Sequence, residues 1–150
     1  MRPSLLRVAL VVAAVVGIGA VAFVILRGGG SSAPDSLAAG DCIDIPGAAS
    51  ISSIPKRACT APHAGEVFLV FDAPGSGAYP SDPAWGEIIY PICDPAFMTY
   101  TGTPVEERTD IDYQYFVPTQ DRWAAGQRGV TCFIKSIDGS PLARSYRVSH

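Results

Sequence analysis

Apolar and polar positions divide the chain into stretches of different texture. Val8 to Leu26 is an unbroken run of 19 residues with no charge and no proline. As a helix rising about 1.5 Å per residue, it spans about 28 Å, close to the ~30 Å hydrocarbon core of a bilayer. Gly28-Gly29-Gly30-Ser31-Ser32-Ala33-Pro34 follows, with the composition of a flexible linker. From Asp41 onward, short apolar runs alternate with turn signals, as in a folded domain. Glu66 to Phe71 is an apolar, β-favouring run between Pro62-His63-Ala64-Gly65 and Ala73-Pro74-Gly75, which predicts a buried strand.

Asp82-Pro83 is a helix start, with Asp as N-cap and Pro at the first helical position. Trp85, Ile88, Ile89 and Ile92 follow at helical spacing. Pro91 predicts a kink or break there. Asp94-Pro95 offers a second start, with Phe97 and Met98 inward and an end at Gly102. Pro104 to Asp110 is charged and reads as a loop. Ile111 to Val117 alternates and is rich in Tyr and Phe, which predicts a strand ended by Pro118. One or two helical turns follow from Thr119 or Gln120 to Ala125, stopped by Gly126. Gly129 to Ser136 reads as a strand with Val130, Cys132 and Ile134 on one face. Asp138-Gly139 is a hairpin signal, and Leu142 to Val148 is expected to return as a last strand. Strands pairing around one or two helices predict an α+β domain with a mostly antiparallel sheet.

Three parts result: residues 1–27 as an N-terminal tip and transmembrane anchor, 28–40 as linker, and 41–150 as one small domain. Charge sharpens this division. The chain carries 11 Lys and Arg against 14 Asp and Glu, and the last part alone has 8 against 13, a net of −5. An acidic domain argues against nucleic-acid binding, which needs a basic face. Arg2 and Arg7 precede the apolar run and only Arg27 follows it. That asymmetry predicts a single-pass protein of the cytoplasmic membrane, its N-terminus inside and its C-terminal domain outside. The rival reading is a signal peptide cut at Ala20-Val21-Ala22, which would leave Phe23-Val24-Ile25-Leu26 exposed at the new terminus. Lipidation is disfavoured because Asp41 stands between Leu37-Ala38-Ala39-Gly40 and Cys42.

The cysteines are Cys42, Cys59, Cys93 and Cys132, all beyond the apolar run. In an oxidising compartment, four cysteines read as two disulfides, for which three pairings exist. Cys42–Cys59 with Cys93–Cys132 is favoured, because the first bridge closes a Gly/Pro/Ser-rich loop, Ile43 to Ala58, with little core of its own. No C-x-x-C is present, which argues against zinc-ribbon, thioredoxin and haem-attachment readings.

Candidate chemistry is sparse. His63 and Glu66 stand three apart, but Pro62 and Gly65 disfavour the helix on which they would share a metal-binding face. His63 is therefore expected to bond Glu66 or nearby backbone ahead of the strand. Glu66, Asp72, Glu87, Asp94, Asp112 and Asp121 supply the carboxylates a glycoside hydrolase would need, but no spacing singles out a pair. No G-x-S-x-G, H-E-x-x-H or P-loop is present. Tyr113 and Tyr115 share one strand face opposite Phe116. They are either a buried stripe or, with His63 and Glu66, a candidate interaction surface for a protein or glycan.

Several local patterns lie in order between Gly40 and Ile134. Gly40-Asp41-Cys42 opens the domain, and C-T-A-P-H-A-G-E-V-F runs from Cys59 to Phe68. Tyr79-Pro80 precedes a helix holding Cys93, then Phe97 and Tyr100-Thr101-Gly102. Tyr115-Phe116-Val117-Pro118 precedes D-R-W-A-A-G-Q-R from Asp121 to Arg128, then Val130-Thr131-Cys132. In these features the chain resembles the septum formation family of actinobacterial envelope proteins. The resemblance implies a membrane-anchored extracytoplasmic domain with structural cysteines and a link to the division septum, and it carries over no catalytic residue and no cofactor. The expectation is a non-enzymatic scaffold or protein-interaction module with envelope or division partners, anchored in the bilayer through Val8–Leu26. The alternatives are a wall-glycan-binding or sensor module, and after that a wall-acting hydrolase. Peptide mapping of the protein from its own membranes should recover the N-terminal peptide intact. A new terminus near Ala22 would make the protein secreted.

Overall fold

In the computed structural model of the chain, the described residues are 31–32, 36–45 and 53–149. The expected membrane span, Val8–Leu26, lies outside them. Among the described residues, no helix is long and apolar enough to cross a membrane.

The described chain forms β1 (Ser31–Ser32), β2 (Cys42–Ile43), β3 (Ile54–Arg57), β4 (Gly65–Asp72), α1 (Asp82–Thr101), β5 (Ile111–Phe116), α2 (Gln120–Ala124) and β6 (Gly129–Ser136), with a 3-10 turn at Val105–Glu107. The sheet order is β1-β3-β2-β4-β6-β5, and every pairing is antiparallel. The α+β reading holds. The compact unit starts earlier than Asp41: Ser31–Ser32 pairs with β3, and Leu37 is buried. Part of the expected linker therefore belongs to the domain.

One face of the sheet carries α1. Trp85, Ile89, Cys93, Phe97 and Tyr100 recur every three or four residues and form the buried side of the helix. They pack on Phe68, Ile111, Val130, Cys132 and Ile134. The opposite face holds a smaller cluster of Leu37, Ile43, Ile54, Val67 and Phe133. Thus β6, expected to have one apolar face, is buried on both. In β4 the register shifts between Val67 and Leu69. Such a bulge resets the two-residue alternation. It brings both Phe68 and Leu69 to the helix side and leaves Val70 half out.

The prolines do not break α1 in two. Pro91 and Pro95 sit four apart on the exposed side, and the carbonyls that lose helix partners belong to Glu87 and Pro91, both exposed residues. The Thr99 hydroxyl donates to the Pro95 carbonyl. Asp82 begins the helix, but Ser81 is the N-cap residue and makes no side-chain capping bond. Asp94 lies within the helix instead of starting a second one, and Met98 is 52% exposed instead of inward. Gly102 ends the helix at φ 77°, its N–H donating to the Met98 carbonyl. That left-handed backbone is one that side-chain-bearing residues rarely adopt.

Aromatic packing closes the end of the domain around α2. Trp85, Trp123 and Tyr79 meet edge to face with centroids 5.5 to 6.2 Å apart. Trp123 Nε1 donates to the Gly77 carbonyl and the Tyr79 hydroxyl to the Pro118 carbonyl. The Arg128 guanidinium lies 3.8 Å from the Trp123 ring centroid and donates to the Gly75 and Trp123 carbonyls. The D-R-W-A-A-G-Q-R stretch thus pins the loop between β4 and α1.

Cys42 is joined to Cys59 and Cys93 to Cys132, with Cα atoms 5.3 and 6.6 Å apart. The second bridge ties the middle of α1 to β6, the strand next to the β5 edge. Chain-entropy arguments assign about 3 kcal/mol to the shorter loop and about 4 kcal/mol to the longer one. Replacing Cys93 and Cys132 together by Ala should therefore lower the urea-unfolding free energy more than replacing Cys42 and Cys59.

Candidate functional site

The start of β4 gathers the residues that the sequence singled out for chemistry. His63 is 1% exposed and Glu66 0%. Neither belongs to an open interaction surface. His63 N–H donates to the Leu142 carbonyl at 3.1 Å, and Leu142 N–H returns a bond to the His63 carbonyl at 2.8 Å. The His63 ring is held through Nδ1, 2.8 Å from the Ala61 carbonyl. As that carbonyl can only accept, Nδ1 carries the proton there.

Glu66 is satisfied from two directions. The Tyr100 hydroxyl, near the end of α1, donates to Oε1 at 2.7 Å. The Ser145 hydroxyl donates to Oε1 at 2.6 Å and the Tyr146 N–H to Oε2 at 2.8 Å. Val148 N–H adds a bond to the Tyr100 carbonyl. These bonds explain why Leu142 to Val148 is not the expected last strand. The segment makes one β-bridge, at Leu142, and then gives its N–H groups to Glu66 and the end of α1.

Ligating atoms of Cys42, His63 and Glu66 lie within 4.8 Å of one another. A metal would need the Cys42 thiolate, but its sulfur is bonded to Cys59. Both Glu66 oxygens already accept protein donors. The cluster therefore reads as a staple holding the C-terminal segment to the sheet. A hollow of about 300 Å³ borders His63 but neither Cys42 nor Glu66, and is lined in part by Asp44, Pro62, His63, Lys135 and Pro141.

The other strand pair, Tyr113 and Tyr115, faces α1 and is half-buried. The Tyr113 ring meets Phe68 and Phe97 at 5.6 and 5.8 Å, and its hydroxyl donates to Asp94 Oδ1. Tyr115 meets Tyr90 at 6.4 Å. On the far face, Phe116 stacks on Phe133 at 4.5 Å. Between α1 and β5 runs an open groove of about 670 Å³. Tyr90 and Asp94 form its helical wall, and Asp112, Tyr113 and Tyr115 its strand wall, with Glu106 at one end. Tyr90 is 51% exposed. Among the described residues, three carboxylates and three phenol rings line the groove, and no Lys or Arg does.

The other carboxylates considered for hydrolysis, Glu66, Asp72, Glu87 and Asp121, do not line the groove. Of those that do, Asp94 accepts the Tyr113 O–H and Asp112 the Tyr113 backbone N–H. Asp94 was among the carboxylates considered, but its pairing with Tyr90 was hidden from sequence reasoning because a break at Pro91 separates them. Their i, i+4 spacing is the signal that an unbroken helix makes readable. The groove also shapes acid–base behaviour. Burial, followed by the Asp94 hydrogen bond and charge, pushes the Tyr113 phenol well above its ordinary 10.0. Burial and then the Glu66 hydrogen bond do the same for Tyr100.

The family model described as septum formation matches residues 30–149. No curated relative and no solved structure matches the chain.

Two predictions follow from this geometry. Glu66→Gln turns an amide N–H₂ toward one of the present donors and should destabilise the domain by about 1–3 kcal/mol. The loss should appear first as faster hydrogen exchange at the Tyr146 amide. Tyr113 and Tyr100 hold their protons more tightly when folded, so their contribution is complete below the unfolded-state value and lost at higher pH. Urea midpoints should fall as pH rises past 10.0, and Tyr113→Phe should flatten that fall.

Proposed function

The chain belongs to the septum formation family, and on that premise we propose that its domain is a non-enzymatic protein-interaction module of the cell envelope. Family membership itself points to a role in cell division or the envelope. The finer reading is a scaffold held outside the cytoplasmic membrane by Val8–Leu26, with the N-terminus inside. The observation that carries it is the contrast between the two candidate sites. Glu66 is committed through both oxygens to internal donors and His63 is buried and held through Nδ1, whereas the groove between α1 and β5 is open, aromatic and acidic. The two disulfides suit an oxidising compartment, in keeping with a domain outside the membrane. The 19-residue apolar run and the Arg2/Arg7 asymmetry support the anchor and its direction.

A tagged full-length copy at native level is expected to concentrate at division sites and to stay with membranes after an alkaline carbonate wash. Even distribution over the membrane, with unchanged septa on deletion, would remove the division role. Protease added to spheroplasts should degrade the domain, and complete protection would reverse the topology.

A further inference from the structure

We propose that the groove takes an extended, Lys- or Arg-bearing segment of a partner protein, which adds as a strand to the outer edge of β5. This deepens the interaction-module reading and rests on it.

The first support is the edge itself. Among the described residues, β5 is the last strand in the sheet order. Ile137 N–H donates to the Asp110 carbonyl at 3.1 Å, one step beyond the Ile111↔Ser136 register. In an antiparallel ladder, backbone groups face the partner strand at alternate residues. Asp112, Gln114 and Phe116 therefore turn their N–H and carbonyl groups toward β6, and Ile111, Tyr113 and Tyr115 turn theirs outward. The 2.7 Å bond from Tyr113 N–H to the Asp112 carboxylate agrees with this phase, because a side chain has taken up an outward amide. The Tyr113 carbonyl and both backbone groups of Tyr115 point along the open side. An edge of this kind is a template for strand addition.

The second support is the wall facing that edge. α1 presents Tyr90 and Asp94 across the groove, and the Cys93–Cys132 bridge fixes the helix against β6. An added strand would lie between a helix and a sheet edge, with its backbone on β5 and alternate side chains directed at the helical wall. Six residues of β5 offer about 20 Å of edge, room for a segment of four to six residues.

Charge chooses the occupant. Asp94, Glu106 and Asp112 line the groove with no cation among them. Lys or Arg side chains would find carboxylates at the walls and phenol faces at Tyr90 and Tyr115. A second copy of this chain pairing β5 to β5 would bring two grooves lined by Asp94, Glu106 and Asp112 together with no groove cation to offset them, which charge disfavours.

The test uses the full-length chain in detergent micelles and labelled synthetic peptides, read by fluorescence anisotropy. The probes are Lys-Val-Lys-Val-Lys-Val, the Glu-for-Lys counterpart, and two Lys peptides N-methylated at one or the other set of alternate residues. The Lys peptide should bind, the Glu peptide should bind at least about tenfold more weakly, and one N-methylated peptide should lose binding. Glu106→Gln with Asp112→Asn should weaken the Lys peptide by about tenfold without changing the melting temperature. Equal binding of both N-methylated peptides would overturn strand addition. Absence of Lys-peptide binding would overturn the inference, as would displacement of the bound peptide by wall glycan fragments but not by unlabelled peptide. The septal localisation of the tagged chain separates the two levels. If wild type concentrates at septa and the peptides do not bind, the groove inference falls and the interaction module stands. If wild type does not concentrate there, the division role fails whatever the peptides do.

Discussion

A carboxylate buried without donors is among the least tolerable groups in a folded protein, and Glu66 sets the terms on which this domain closes. It sits at the start of β4 with no solvent contact, so its oxygens must be satisfied from within. Two hydroxyls and one backbone amide meet that need, from the end of α1 and from the C-terminal segment. One residue thereby ties a strand, the long helix and the tail. The tail reaches those donor positions through its bridge with His63, and the Cys42–Cys59 bond braces the adjoining strands. The C-T-A-P-H-A-G-E-V-F pattern, one of those that carry the family resemblance, is the part of the chain where this closure is assembled.

What was legible in the sequence and what was not divides along a physical line. Strands β4, β5 and β6 follow from runs of β-branched and aromatic residues bounded by Gly and Pro, because those signals are local. The helix was misread as two because Pro91 is also a local signal, and its cost depends on where the freed carbonyl points. Only the fold shows that it belongs to an exposed residue. The last segment was misread for the opposite reason: its apolar pattern allows a strand, but a distant carboxylate claims its amides. Glu66 and His63, offered by the sequence as part of an interaction surface, are buried and bonded within the domain. The groove was half visible. Tyr113 and Tyr115 were recognised as one face, but their partners across it, Tyr90 and Asp94, become neighbours only when the helix runs through the prolines.

The same architecture explains why an open groove can coexist with a small domain. Its strand wall belongs to a sheet buried on both sides at β6, and its helical wall is bonded covalently to that strand. Neither wall has to be ordered by a partner, which lowers the entropy lost on association. The Tyr113 hydroxyl spans from strand to helix at Asp94 and sets the floor between them. In the proposed reading, recognition and stability share residues: the aromatic ring that packs on Phe68 and Phe97 is also the one that positions a carboxylate at the rim.

Pro91 and Pro95 leave α1 without two of its internal hydrogen bonds near its centre. A peptide of this sequence would have little tendency to coil by itself, since isolated helices depend on an unbroken ladder. The helix exists because Trp85, Ile89, Phe97 and Tyr100 find the sheet beneath them. Helix and sheet are consequently one cooperative unit, with no route by which α1 peels away and survives. The groove between them is present whenever the domain is folded and vanishes when it is not, so it behaves as a report on the integrity of the whole domain.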